Sequence, residues 1–235
     1  MKFILSLVRH DFLSTFREPM FRAILVFPVF CFLLIRFGMP PLLENFPVVE
    51  PYKQVIIMWA CLQSATLFGF VYGFIVLEEK EENLLGVLRI APVKTSQLVL
   101  ARQSVGLAIS TLVNFSILQW GGVLHMGLGI NLLIALQMSL MAPFLMLLLA
   151  NFAKNRIEGL AAMKIFNILL IAPALIYFLP YDALHALAIV PTYWSYRAIE
   201  WSYLEQLYWP IALGFVYYAL CLLLLNYRFQ KKVLI

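Results

Sequence analysis

Apolar runs about as long as a membrane is thick, separated by short polar stretches, make up most of this 235-residue chain. A helix that crosses a bilayer needs about 20 mostly apolar residues. The runs predict six membrane-spanning helices, at residues 21–37, 53–77, 98–124, 132–152, 158–178 and 208–227. We therefore predict an all-α integral membrane protein, built as a single transmembrane domain over residues 1–235.

The segment before the first span, residues 1–18, is amphipathic at helical spacing. Leu5 and Phe12 lie on one face, whereas Lys2 and Arg9 lie on another. This pattern predicts a helix that lies in the membrane interface with its basic side toward lipid headgroups. The alternative is that these residues are only the start of the first span.

The densest cluster of charge lies between the second and third spans. Residues 78–82 contain four glutamates and one lysine, and Leu84 and Leu88 then follow at helical spacing until Pro92. Proline ends a helix because it lacks the backbone N–H. Residues 78–92 therefore predict a short amphipathic helix in a loop between two membrane spans.

Residues 180–205, before the sixth span, are too interrupted to cross a membrane. The first half is apolar, and the second half is rich in tyrosine and tryptophan, which favour the membrane interface. We interpret this part as an external re-entrant segment of one or two short helices that dip into the outer leaflet. An ordinary external loop with an aromatic belt is the alternative.

Composition agrees with a membrane protein, since 63% of residues are hydrophobic and 12% are charged, against about 25% charged in soluble domains. Of the 17 Lys and Arg residues, 14 fall on one predicted side and 3 on the other. The basic side is expected to be cytoplasmic, which predicts a multi-pass protein of the inner or plasma membrane with both termini in the cytoplasm. The net charge of +5 is explained by this bias and does not indicate nucleic-acid binding.

Motifs of catalysis are missing from the sequence. It contains no HExxH, no G-x-S-x-G and no G-x-x-x-x-G-K-[ST], and its three histidines and three cysteines are scattered. Neither an enzyme nor a metal site is therefore predicted. The spans contain few charges, which argues against an ion channel and a proton-driven carrier. Their neutral polar side chains either join helices to each other or contact a substrate.

The stretch Glu79-Lys80-Glu81-Glu82-Asn83-Leu84-Leu85-Gly86-Val87-Leu88, which leads to Ala91-Pro92, is similar to the loop between spans two and three in type-2 permease subunits of ATP-binding-cassette (ABC) exporters. Together with the order of the spans, this similarity covers nearly the whole chain. Lys154-Asn155-Arg156-Ile157-Glu158-Gly159 and Pro191-Thr192-Tyr193-Trp194 resemble the drug-exporting permeases of that family, which include fluoroquinolone exporters.

The resemblance implies that this chain pairs with a second permease, either another copy or a paralogue, and docks two separate ATPase subunits. ATP and Mg²⁺ would bind in those partners, with no cofactor in this chain. The loop helix would be the coupling helix that docks the ATPase. Its docking residues would be Glu78, Glu79, Glu81, Glu82, Leu84, Leu85, Val87, Leu88 and Arg89.

The cargo path would lie between the two permeases, and its low charge favours amphiphilic or hydrophobic cargo such as a drug-like molecule or a lipid. Candidate lining residues are Met58, Gln63, Phe68, Phe70, Phe166 and Asn167. The competing hypothesis is a membrane scaffold or sensor that anchors a cytoplasmic partner and transports nothing.

Overall fold

The computed structural model describes residues 19–82, 84 and 95–233, and these residues are helical without any strand. The α-helices are α1 Pro19–Leu33, α2 Met39–Asn45, α3 Lys53–Glu81, α4 Thr95–Trp120, α5 Leu128–Ser139, α6 Met141–Phe152, α7 Arg156–Ile171, α8 Pro191–Leu204 and α9 Trp209–Val233. A π-helical turn covers Leu34–Gly38, and 3₁₀ turns cover Pro47–Tyr52, Ala172–Tyr177 and Asp182–Ile189. The predicted interfacial helix at residues 1–18 and most of the predicted coupling helix, residues 83 and 85–92, lie outside the described residues.

Six helical stretches are long and apolar enough to cross a membrane, as predicted. They are Val26–Asn45, Pro47–Glu81, Gln97–Trp120, Leu128–Phe152, Arg156–Tyr177 and Trp209–Lys231. The predicted class, an all-α integral membrane protein with six spans, is therefore confirmed.

The predicted end of the first span at residue 37 is wrong. Pro40 and Pro41 fall between the first two predicted spans, but the helix continues through the π-helical turn into α2, which contains them. Both prolines lie in the first turn of α2, where a missing N–H is tolerated because that group has no partner within its own helix. Proline therefore marks the start of a helical segment here.

The fourth span is interrupted at a single residue in its middle, which was not predicted from the sequence. α5 ends at Ser139 and α6 begins at Met141, with Leu140 between them. Pro143 cannot donate a hydrogen bond to the carbonyl of Ser139, four residues earlier. Other bounds also differ from the prediction, since the third span ends at Trp120 and α9 extends past residue 227. The helix of the second span continues to Glu81, so the predicted start of a separate coupling helix at residue 78 is wrong.

The second span, α3, is the central helix of the bundle. It packs against α1, α4, α6 and α7, and most of its side chains are buried. Gly69 and Gly73, four residues apart, lie against α6. A Cβ on Gly69 would lie 2.6 Å from the carbonyl oxygen of Ala142, and one on Gly73 would lie 2.7 Å from Leu149 Cδ1. Small residues at this spacing allow two membrane helices to approach closely.

Polar side chains in the spans bond to neighbouring helices. Asn114 Nδ2 of α4 donates to Ser139 Oγ of α5 at 2.9 Å, and Asn131 Nδ2 donates to Gln119 Oε1 at 2.8 Å. Such bonds satisfy polar groups that lipid cannot solvate. For these residues, the interpretation as polar contacts between helices is confirmed.

The end of the bundle opposite Glu81 carries the aromatic segment before the last span. Short helices form there, at Asp182–Ile189 and in α8, as predicted. On α8, Arg197 Nη1 lies 2.5 Å from Glu200 Oε2, and Tyr177 OH donates to the same carboxylate at 3.1 Å. Thr192 Oγ1 donates to the carbonyl of Leu170 at 2.7 Å. α8 is therefore hydrogen-bonded to the end of the fifth span.

Adding one methyl group at Gly69 is expected to separate α3 from α6. We expect Gly69→Ala to lower the stability by about 1–3 kcal/mol, since overpacking forces the backbones apart. Gly129→Ala is the matched control, because nothing lies within 4 Å of its added Cβ. Thermal unfolding of the two purified variants in detergent measures the difference. Equal melting temperatures would contradict the close packing at Gly69.

Candidate functional site at the charged end of the bundle

One end of the bundle brings the acidic cluster predicted from the sequence together with cations of neighbouring helices. The last turn of α3 contributes Glu78, Glu79, Lys80 and Glu81, the start of α4 contributes Arg102, and the first residue of α7 is Arg156. We call these six residues the charged junction. They connect four of the six spans, because Lys80 also reaches the end of α6.

Arg102 and Glu79 form a two-pronged ion pair between the third and second spans. Nη1 and Nη2 of Arg102 donate to the two carboxylate oxygens of Glu79, each at 2.7 Å. The side chain of Arg102 is 1% exposed and that of Glu79 is 14% exposed. A guanidinium withdrawn from solvent needs such a partner, and the fork geometry fixes the relative orientation of the two helices.

Lys80 binds the end of the fourth span. Its ammonium group donates to the carbonyl oxygens of Ala150 and, at 3.1 Å, of Ala153. The last carbonyls of a helix lack partners within the helix, and its C-terminal end carries partial negative charge. Lys80 therefore acts as a cap that α3 supplies to α6.

Arg156 binds the same turn of α3 from the fifth span. Its Nη2 forms an ion pair with Glu78, its Nε lies 3.6 Å from Glu81 Oε2, and its backbone N–H donates to Glu81 Oε1 at 2.8 Å. Asn155 holds the start of α7, since its Oδ1 accepts from the backbone N–H of Glu158 at 2.7 Å. This is the cap that helix N-termini favour.

Between the junction and α4, the structure describes Glu82 and Leu84. Glu82 is exposed, and Leu84 is 39% exposed although it is apolar. Of the predicted docking residues, Glu78, Glu79 and Glu81 are bound within the chain by Arg102 and Arg156. Leu85, Val87, Leu88 and Arg89 lie outside the described residues.

The predicted cargo-path residues fall into two groups. Met58, Phe68 and Phe70 are buried, and Met58 and Phe70 belong to the hydrophobic core of the chain. Gln63, Phe166 and Asn167 are only partly buried. The structure therefore does not bring the six residues to one common surface.

The roles of Arg102, Lys80 and Arg156 were not predicted from the sequence. For Arg102 a signal existed, because it is the only Asp, Glu, Lys or Arg between Lys94 and Lys154. A single charge in so long an apolar stretch needs a partner. No comparable signal distinguishes Arg156 from the neighbouring Lys154.

The arrangement holds charges in place and contains no group poised for covalent chemistry. Among residues 19–82, 84 and 95–233, no three His, Cys, Asp or Glu side chains come together in a way that would hold a metal ion. The fold and this junction thus define a multi-pass membrane protein.

The model of the family described as "Fluoroquinolones export permease protein Rv2686c-like" matches residues 11–227. The chain belongs to this family of export permeases, which makes it a transporter subunit rather than an enzyme. Two relatives from Mycobacterium tuberculosis are the fluoroquinolones export permease proteins Rv2686c, of strain ATCC 25618 / H37Rv, and MT2760, of strain CDC 1551 / Oshkosh. Each is 26% identical over 233 residues, which cover 95% of this chain and 92% of the relative. No solved structure matches the chain significantly.

Removing Arg102 is expected to cost more than removing the whole ion pair. We expect Arg102→Met to destabilise the protein by about 3 kcal/mol or more, because it leaves the carboxylate of Glu79 without its cation. The double variant Arg102→Met with Glu79→Leu should recover most of that loss. Thermal unfolding in detergent measures both, with Lys154→Met as an exposed control. A double variant less stable than Arg102→Met would contradict the pairing.

Proposed function

We propose that this chain is the membrane permease subunit of an ATP-driven ABC exporter that moves amphiphilic drug-like molecules out of the cytoplasm. Two permeases, identical or paralogous, pair in the membrane and dock two ATPase subunits. ATP and Mg²⁺ bind in those ATPases. Family membership supports export, and it favours transport over a scaffold or a sensor.

The observation that supports an ATPase partner is the exposure of Leu84. This leucine is exposed just past a turn whose acids are bound within the chain, and it begins the apolar face of residues 84–88. An apolar face outside the membrane is stable when a protein covers it. The ATPase is the proposed cover, and Glu82 and Arg89 are the charges proposed to orient it.

Ion pairs within the permease reduce the set of predicted docking residues that we propose to contact the ATPase. Glu79 is held by Arg102, and Glu78 and Glu81 by Arg156, so these acids shape the start of the coupling helix from inside the permease. Direct contact with the ATPase is then proposed for Glu82, Leu84, Leu85, Val87, Leu88 and Arg89.

The charged junction is proposed to face the cytoplasm, in the inner or plasma membrane. The support is the distribution of basic residues, since the side that includes Arg102 and Arg156 carries 14 of the 17. Cytoplasmic loops of membrane proteins are enriched in such residues. Both termini are then cytoplasmic, and ATP is available on that side.

The proposed cargo follows from the names of the relatives and from the chemistry of the spans. Both relatives are named as fluoroquinolones export permeases, and fluoroquinolones are flat aromatic molecules that carry a carboxylate and an amine. Asn167 and Phe166 on α7 offer a polar and an aromatic contact on a helix whose other side chains are largely exposed. We place the path along this face of α7.

Two aspartates on the apolar face should separate the permease from its ATPase. We expect Leu84→Asp with Leu88→Asp to abolish permease-stimulated ATP hydrolysis, because burying two carboxylates in the interface costs more than the contact contributes. Insertion should be unchanged, since neither residue lies in a span. ATP hydrolysis by the reconstituted complex is the measurement, and Leu84→Met with Leu88→Met is the control. Unchanged transport by the aspartate variant would contradict the docking site.

A change at Asn167 should alter cargo movement without altering docking. We expect Asn167→Leu to reduce fluoroquinolone accumulation in inside-out vesicles, since a polar contact in an apolar path is lost. ATP hydrolysis without cargo should stay at the wild-type rate. Ile168→Leu, on an exposed neighbour in the same helix, is the control. Selective accumulation of a charged hydrophilic solute instead of a fluoroquinolone would contradict the proposed cargo class.

A further inference from the structure

The link between the fourth and fifth spans is fastened to the turn from which the coupling helix starts. It comprises Ala153, Lys154 and Asn155, and it ends at Arg156, the first residue of α7. Lys80 holds one side of this link through the carbonyl of Ala153, and Glu78 and Glu81 hold the other side through Arg156.

We propose that Arg156 is a positioning residue for energy coupling. Through Glu78 and Glu81 it fixes the position of the last turn of α3, from which the coupling helix starts, and it makes the fifth span move with that turn. This inference rests on the proposed function, because it concerns how movement of an ATPase reaches the membrane helices.

Electrostatic contacts join Arg156 to the last turn of α3. Glu78 and Glu81 are three residues apart on one helix, so their carboxylates lie on the same side of it, and one guanidinium contacts both. Arg102 compensates Glu79, and Lys80 is directed to carbonyl groups of α6. Arg156 lies against Glu78 and Glu81 and so connects the turn where the coupling helix begins to the start of α7.

Packing next to Arg156 also connects the fifth span to α3. Gly159 lies one turn after Arg156 on α7, and a Cβ placed there would be 2.5 Å from Leu77 Cδ1. The first turn of α7 thus touches α3 through an apolar contact at Gly159 and through the ion pairs of Arg156. Two adjacent contacts of different kinds therefore connect the end of α3 to the start of α7.

The exposure of Arg156 allows its role to be separated from folding. The side chains of Arg156, Glu78 and Glu81 are 37%, 31% and 35% exposed, and ion pairs this accessible to water add little to stability. Arg156→Gln is therefore expected to fold and insert normally. Lys154→Gln is the matched control, because Lys154 is an exposed cation two residues earlier in the same link.

The first experiment uses the permease alone. Spin labels are attached at Leu84 and at Ser104, both exposed, in a variant whose Cys31, Cys61 and Cys221 are replaced by alanine. Double electron–electron resonance then gives the distribution of distances between the labels. We expect a narrow distribution for the parent, a broad one for Arg156→Gln, and an equally broad one for Glu78→Gln with Glu81→Gln. The triple variant should be no broader, because residues that act through one contact are not additive.

The second experiment uses the complex with its ATPase in vesicles and measures fluoroquinolone transported per ATP hydrolysed. We expect Arg156→Gln to lower this ratio about five- to ten-fold while ATP hydrolysis continues, and Lys154→Gln to leave it unchanged. The glutamine variants of Glu78 and Glu81 should show the same loss, and adding Arg156→Gln to them should lower the ratio no further.

The two experiments distinguish the inference from the proposed function. The positioning role is overturned if the distance distribution is the same in Arg156→Gln as in the parent, or if it broadens additively in the triple variant. Either result counts against that role even if the parent complex transports. Distances that respond to Arg156 support that role even if the parent complex hydrolyses ATP without transport, a result that overturns the proposed function. An equal fall in hydrolysis and transport in Arg156→Gln overturns the coupling role.

Discussion

Arg102 imposes the constraint on which the charged end of the bundle depends. A guanidinium buried among apolar helices must have a carboxylate beside it, and Glu79 supplies one with both oxygens. Since these residues belong to different spans, the pair sets the height of α4 relative to α3. Lys80 and Arg156 attach the ends of α6 and α7 to the same turn. Four spans therefore share one anchoring point at this end.

Much of the fold could be predicted because lipid imposes a simple rule on sequence. Uninterrupted apolar runs gave the number of spans and their order. The errors arose where one residue type has two meanings. Pro40 and Pro41 fall between two predicted spans but lie in the first turn of α2, whereas Pro143 lies within a predicted span, three residues after the interruption at Leu140. Local sequence does not decide between these meanings, because the decision depends on which neighbouring groups satisfy the backbone.

The candidate site was predictable in position but not in its connections. The acids at residues 78–82 and the apolar residues after them stand out in any reading of the chain. Which cation pairs with which acid depends on how the helices pack, and the sequence does not contain the distances between side chains on different helices. Lys154 and Arg156 are equivalent by composition, yet the start of α7 directs Arg156 toward α3. Family membership then connects the geometry with export, which neither the charges nor the spans would indicate alone.

The interruption of the fourth span divides its contacts between two sets of neighbours. α3 runs for 29 residues as one helix and connects the charged end of the bundle with the opposite end. α6 lies against α3, whereas α5 lies against α4 and also contacts α8, which is hydrogen-bonded to the end of the fifth span. One half of the fourth span therefore joins the charged junction to the central helix, and the other half joins the third span to the aromatic segment.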